Sequence, residues 1–295
     1  MKFTSIEHLV ELAEIQGKKI SEIMIESEME QYGRTREEIF EQMRNNLHVM
    51  KVAIEKGLQE EIRSRSGLSG GDGKKLAKYL ENGSFLSGRT ILEGVSMAVA
   101  TSEVNASMGT IVATPTAGSV GILPGTIFAT AKKLNSTEDD MVHALFTAGA
   151  IGLVIANNAF ISGAAGGCQA EIGSATAMAA AAIVEMAGGT PTQAANALGI
   201  ALKNMLGLTC DPVAGLVEVP CVKRNGMGAA NAMIAADMAL AGIKSIIPPD
   251  EVIETMYRIG CAMPMPLKET ALGGLAATPT AKKIEVKIFG QPLHE

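Results

Sequence analysis

Tryptophan is absent from this 295-residue chain, and aromatic residues of all kinds make up 3% of it. Strands favour aromatic and β-branched side chains. The hydrophobic content of 47%, carried largely by Ala, Gly, Val, Ile, Leu and 17 Met, instead suits closely packed helices. An excess of positive charge is missing as well: the net charge of −6 and a pI near 5.4 argue against nucleic acid as a partner. Cysteine is scarce, four in the whole chain and none in a CxxC pair. That is too few for a disulfide scaffold and points to a reducing, cytoplasmic setting. The amino-terminal stretch MKFTSIEHLVELAEIQ is charged and has no apolar h-region of a secretory signal. Tandem repeats and low-complexity tracts are absent, and period-two alternation nearly so, KIEVKIF near the carboxyl end being the lone strand-like run. The expected fold is therefore all-α, with Gly/Pro-rich loops and at most one short carboxy-terminal strand.

Two windows, 104–131 and 144–170, contain no charged residue and exceed the ~20 apolar residues that span a bilayer. Pro115, Pro124, Asn157, Asn158, Ser162 and many glycines interrupt them, and no Lys/Arg cluster flanks them. A buried helical core explains them better than a membrane does. Charge concentrates in residues 1–65, read as a charged amino-terminal helical region; residues 66–295 read as a mostly helical domain, or continue the first as one domain. Thr4-x-x-Glu7 and Thr35-x-x-Glu38 read as capping boxes. Gly33 reads as a helix stop, and Ile39, Met43, Leu47, Met50, Ile54 and Leu58 form one helical stripe. Further helices are expected over 90–108, with Glu103 and Asn105 embedded among apolar residues, and after 136–140. Others follow: SATAMAAAAIVEMAGG, a restart at Thr190-Pro191-x-Gln193, one after Asn225 and one after 248–250. Two Gly-rich loops stand between helices, RSGLSGGDGKK and TPTAGSVGILPG.

The cysteines need weighing. Cys168, Cys210 and Cys221 each lie at a Gly- or Pro-marked break, where backbone N–H groups are free to point at sulfur. Cys261, in RIGCAMPMP, shares part of that character. One by one, free cysteines are most often small buried hydrophobes, and spacings of 42 and 11 residues match no standard metal motif. A structural zinc wants four closed ligands, usually with a close CxxC pair. Three thiolates and an open position fit a catalytic cluster better.

SGAAGGCQAEIGSATAMAAA, LGLTCDPVAGLVEVPCVKRN and KETALGGLA, in that order, resemble the catalytic α chain of the iron–sulfur-dependent L-serine dehydratases, from about Leu68 to Ala276. The resemblance implies that Cys168, Cys210 and Cys221 hold a 4Fe–4S cluster with one iron free, and leaves Cys261 as a core or near-surface thiol. It implies conversion of L-serine to pyruvate and ammonia, with the open iron as Lewis acid on the β-hydroxyl. Single-chain members carry a second domain with a Ser-Ser-Ser-His stretch. None occurs here, which implies a separate β chain and a hetero-oligomer. Nor is there a carboxy-terminal cysteine to fold back on the cluster, the chain ending GQPLHE.

Substrate groups can be sought in the loops. Ser69, Gly70 and Gly71, continuing to Gly73, and Thr116, Gly118 and Ser119 are candidates for binding the substrate carboxylate through backbone N–H groups, or are plain loop residues. Arg224 and Asn225 read as a substrate clamp or as a helix cap. Lys74, as charge partner or base, and Glu103, a polar intruder, are the catalytic candidates. Glu103 and Asn105 also fit a buried helix-to-helix hydrogen bond, and His143 reads as part of an ordinary helix. Two other functions stay open: a related cluster-dependent L-cysteine desulfidase, and a non-catalytic, zinc-containing helical subunit.

Overall fold

A computed structural model describes residues 3–293. Helix starts fall largely where the capping chemistry lies. Thr35 and Glu38 form a reciprocal capping box at the head of α3 (Arg36–Gln59), as Thr137 and Asp140 do for α7 (Glu138–Asn158), and Thr190 and Gln193 for α10 (Pro191–Lys203). Before α3 come α1 (Ile6–Gln16) and α2 (Ile20–Tyr32), which ends on a left-handed Gly33. Between α3 and α7 lie α4 (Asp72–Glu81), α5 (Arg89–Ala106) and α6 (Ile122–Leu134). The four-residue α8 (Gly163–Gly166) and α9 (Ser174–Met186) precede α10; α11 (Cys221–Leu240), α12 (Pro249–Ala262) and α13 (Pro279–Phe289) complete the order.

The fold is all-α: among the described residues there is no strand, and the one β-bridge is an isolated pairing of Cys210 with Lys268. Three local expectations are corrected. The α1 cap is Ser5, whose Oγ accepts from His8 N at 3.1 Å, and not Thr4. The Asp250 carboxylate of α12 assists by accepting Ile6 N and Glu7 N at 2.8 and 2.9 Å. KIEVKIF is helical, inside α13: Thr278 caps that helix and Pro279 occupies its first turn. Ala281, Ile284 and Ile288 pack on Val213 and Ala214, while Val286 is exposed, so the buried spacing is helical. Asn225 does not cap a helix, because α11 already starts at Cys221 and buries Asn225 within it.

The core centres on α9, buried from Ser174 through Glu185 and packed against α6, α7, α10 and α11. Its alanines let backbones approach closely. The same principle governs α5 and α6, where a Cβ on Gly125 would meet the Gly94 carbonyl oxygen at 2.5 Å. One continuous core joins Phe3, Ile6, Leu9, Ile20 and Ile23 of the charged first region to Ile151, Val184 and Leu198 of the rest. By length and composition α7 could cross a membrane, but 61% of its most apolar window is buried within the protein, where it packs on α2 and α9.

Candidate active site

Cys168 sits between α8 and a π-helical turn over Gln169–Gly173 that feeds α9. Such turns cost regular helical bonding and occur frequently at functional sites. Buried Gln169 braces this one: its side chain donates to the Gly166 and Met256 carbonyls, both at 3.0 Å, and accepts Gly207 N at 2.9 Å. Cys210 is held through its backbone, donating to Leu267 O at 2.8 Å and accepting from Glu269 N at 2.7 Å. Cys221 opens α11 directly after Pro220.

All three thiols are buried and none is in a disulfide. The sulfurs of Cys168 and Cys210 and a carboxylate oxygen of Glu171 lie within 4.8 Å of one another. Cys221 is near enough to interact electrostatically with Cys168, Glu171 and Arg224. A Cβ on Gly163 would stand 2.7 Å from the Cys210 sulfur, so only glycine lets the backbone pack this closely against it. Cys261 belongs elsewhere: it is exposed on α12 and interacts with Tyr257.

Charge around these sulfurs is uneven. A hydrogen bond with Cys210 pulls Cys168 towards the thiolate against its burial, helped by the Arg224 guanidinium. The same bond, together with desolvation and the charges of Cys168, Glu269 and Glu171, pushes Cys210 up. Burial pushes up Cys221 and Glu171. Thr116 Oγ1 donates to Glu171 Oε1. A Cβ on Gly118 would collide with the Glu171 carboxylate, so only glycine permits that approach. Arg224 stands 3.4 Å from the Cys168 sulfur, donates to Thr209 O at 2.8 Å and pairs with buried Asp211 at 2.9 Å.

The sequence candidates divide by location. Thr116 and Gly118 reach the sulfurs through Glu171, and Arg224 touches Cys168 directly. Asn225 braces the same loop, donating to Gly118 O at 2.7 Å and accepting Gly121 N at 2.9 Å. The hydroxyl of Ser119 is buried and donates to Thr114 O at 3.0 Å. Ser69 donates to the buried Glu218 carboxylate at 2.7 Å, while Gly70 packs against the Ile62 carbonyl and Gly71 is the left-handed residue preceding α4. Glu103 accepts Asp72 N and Gly73 N at 2.8 and 3.1 Å. It thus serves as the remote cap of α4, whose own Gly71 has no side chain to do so. Asn105 donates to Ala117 O at 3.1 Å. Lys74, half-buried on α4, has no side-chain hydrogen bond or ion pair among the described residues. The carboxylates that do accompany the sulfurs, Glu171 and Glu269, were not singled out from sequence. Their one local signal is an acid within a Gly-rich motif, three residues after Cys168 in the first case.

The donor set suits a metal centre. Thiolates select soft or borderline metals, iron–sulfur clusters among them, the Cys168 and Cys210 sulfurs and a Glu171 oxygen lie within reach of one another, and Arg224 offsets negative charge.

A family model described as serine dehydratase alpha chain matches residues 15–276. The chain is 64% identical over 291 residues to a probable L-serine dehydratase, alpha chain, of Bacillus subtilis, covering 99% of this chain and 97% of that one. It is 44% identical over 276 residues to the L-serine dehydratase, alpha chain, of Peptoniphilus asaccharolyticus, covering 94% of each. The L-serine dehydratase of Streptomyces coelicolor is 39% identical over 282 residues, which make up 93% of this chain and 60% of that longer protein.

Proposed function

This chain belongs to the serine dehydratase alpha chain family, and on that premise we propose that it is the α chain of an L-serine dehydratase, producing pyruvate and ammonia in the cytoplasm with a separate β chain. The observation that carries the reading is the set of buried, unpaired thiols with a carboxylate among them, on the segments that the family match spans. Cys168, Cys210 and Cys221 would hold a 4Fe–4S cluster, which when bound supplies a Lewis acid for the β-hydroxyl, an effect worth several kcal/mol in metal sites.

The chain's own residues prepare the rest. Arg224 places positive charge against Cys168, and Asp211 holds the guanidinium there. Asn225 fixes the loop through Gly118, so that Thr116 can orient Glu171 at the sulfurs. Burial of the three cysteines keeps bulk water from the thiols. Removal of the α-proton and the β-hydroxyl from serine gives aminoacrylate, whose imine tautomer hydrolyses to pyruvate and ammonia. With Glu103 spent on capping α4, the partner chain is the proposed source of the general acid–base group, typically worth ~10²–10⁴-fold in rate.

The test is anaerobic reconstitution with ferrous iron and sulfide, then assay of serine-dependent pyruvate with and without the β chain. The reading expects iron and acid-labile sulfide in the isolated α chain, slow turnover, and a rise of that order on adding β. Zinc without labile sulfide would overturn the cofactor; full activity of α alone would overturn the division of labour.

A further inference from the structure

Glu269 lies in KETALGGLA and donates its backbone N–H to Cys210 O, while Leu267, just before that segment, accepts from Cys210 N. Its φ of +63°, with +56° at Ala271, places two side-chain-bearing residues in the left-handed region within three positions. Such conformations are strained for anything but glycine, Asn or Asp and cluster at ligand clamps and active sites. A carboxylate oxygen of Glu269 is 3.2 Å from the position a Gly163 Cβ would take, and that position is 2.7 Å from the Cys210 sulfur. The carboxylate therefore stands beside the sulfur group. It is half-buried and has no side-chain hydrogen bond or ion pair among the described residues.

The guanidinium at the sulfurs is not free to pair with Glu269. Arg224 is already committed to Asp211, Thr209 O and Cys168. Glu171 adds a second carboxyl, and thiolate ligation would add negative charge. A partly desolvated carboxylate without a counter-charge is costly unless something arrives to pair with it. An α-amino acid brings an ammonium with three donors, able to form charge-assisted hydrogen bonds to such an oxygen.

We propose that Glu269 is the residue that recognises the α-ammonium group of the amino-acid substrate, selecting amino acids over hydroxy acids of the same shape. The inference rests on the serine reading above. Its backbone strain follows: the segment holds the carboxylate at the sulfurs in a conformation that glycine would adopt without penalty.

The experiment uses the reconstituted chain with its β chain, and L-serine and glycerate as probes, glycerate carrying a hydroxyl where serine has its ammonium. Glu269→Gln is expected to raise KM for serine about tenfold to a hundredfold, the range for a hydrogen bond to a charged group. Iron and sulfide content, and the inhibition constant of glycerate, should stay unchanged. Glu269→Gly should weaken serine at least as much while its thermal midpoint holds or rises, because it relieves the left-handed strain. A merely structural residue would not show that split. Equal weakening of serine and glycerate, unchanged KM for serine, or loss of iron in Glu269→Gln would each overturn the proposal. Those outcomes presuppose wild-type turnover of serine; a wild-type enzyme that forms no pyruvate would instead overturn the functional reading.

Discussion

At the scale of single residues, the site depends on which sulfurs share a neighbourhood. Replacing Cys168, Cys210 or Cys221 with Ser is expected to abolish stable iron incorporation on anaerobic reconstitution. Replacing Cys261, exposed on α12, should leave it intact. Iron and labile-sulfide analysis beside a far-UV circular dichroism control checks this, and a full iron load in any of the first three variants would remove that residue from the ligand set. The thiols stood out in the sequence because each is bracketed by Gly or Pro within a few positions. Glu171 and Glu269 did not, since an acid in a loop reads as solvated until the fold seats it against sulfur. Arg224 could be read only as clamp or cap, because its contacts with Asp211 and Cys168 arise from separate segments.

At the scale of elements, starts and stops were legible wherever the partner groups lie three or four residues apart, as at Thr35 and Glu38 or Thr190 and Gln193. They were misread where the partner comes from elsewhere. The start of α4, inside a stretch read as a Gly-rich loop, is the clearest case: its cap is Glu103 on a neighbouring helix, which bears out the hydrogen-bonding reading of that residue. Glu103→Ala strands two backbone N–H groups, at least one of them buried, and should cost roughly 1–3 kcal/mol. The reading is a lower urea midpoint, with iron incorporation retained. Unchanged stability would mean that water or another side chain replaces the cap. KIEVKIF shows the opposite ambiguity: alternation over a few residues also fits a helix, and the contacts of Ala281, Ile284 and Ile288 decide for the helix.

At the scale of the whole molecule, carboxylates tie together parts of the chain that are distant in sequence or lie on different helices. Arg36 hydrogen-bonds Glu22 at 2.7 Å on both guanidinium nitrogens and holds its carboxyl below the usual 4.5. Lys223, assisted by Lys75, does the same for Asp72, below 3.8, and so links α11 to α4. A depressed carboxyl stabilises the fold above its unfolded pKa, and that contribution is lost as pH falls through the lower folded value. Arg36→Gln and Lys223→Gln should therefore be less stable than the parent near neutral pH, with the gap closing in acid below the ordinary carboxylate range. Chemical denaturation across pH checks it; a gap constant with pH would show that packing, and not these charges, is lost.

The helical class, several helix starts and the Gly- or Pro-marked setting of the cysteines could be read from sequence, because periodicity, capping and loop breaks act within a few residues of chain. Which polar groups stand at the sulfurs and which are spent on the scaffold follows from the packing of distant segments. Glu103 was assigned to α4, Ser69 to Glu218, and Glu171 and Glu269 to the thiols. The physical reason is that burial and charge pairing depend on distance in space. Here the groups that meet come from segments as far apart as Thr116, Cys168, Cys210, Arg224 and Glu269.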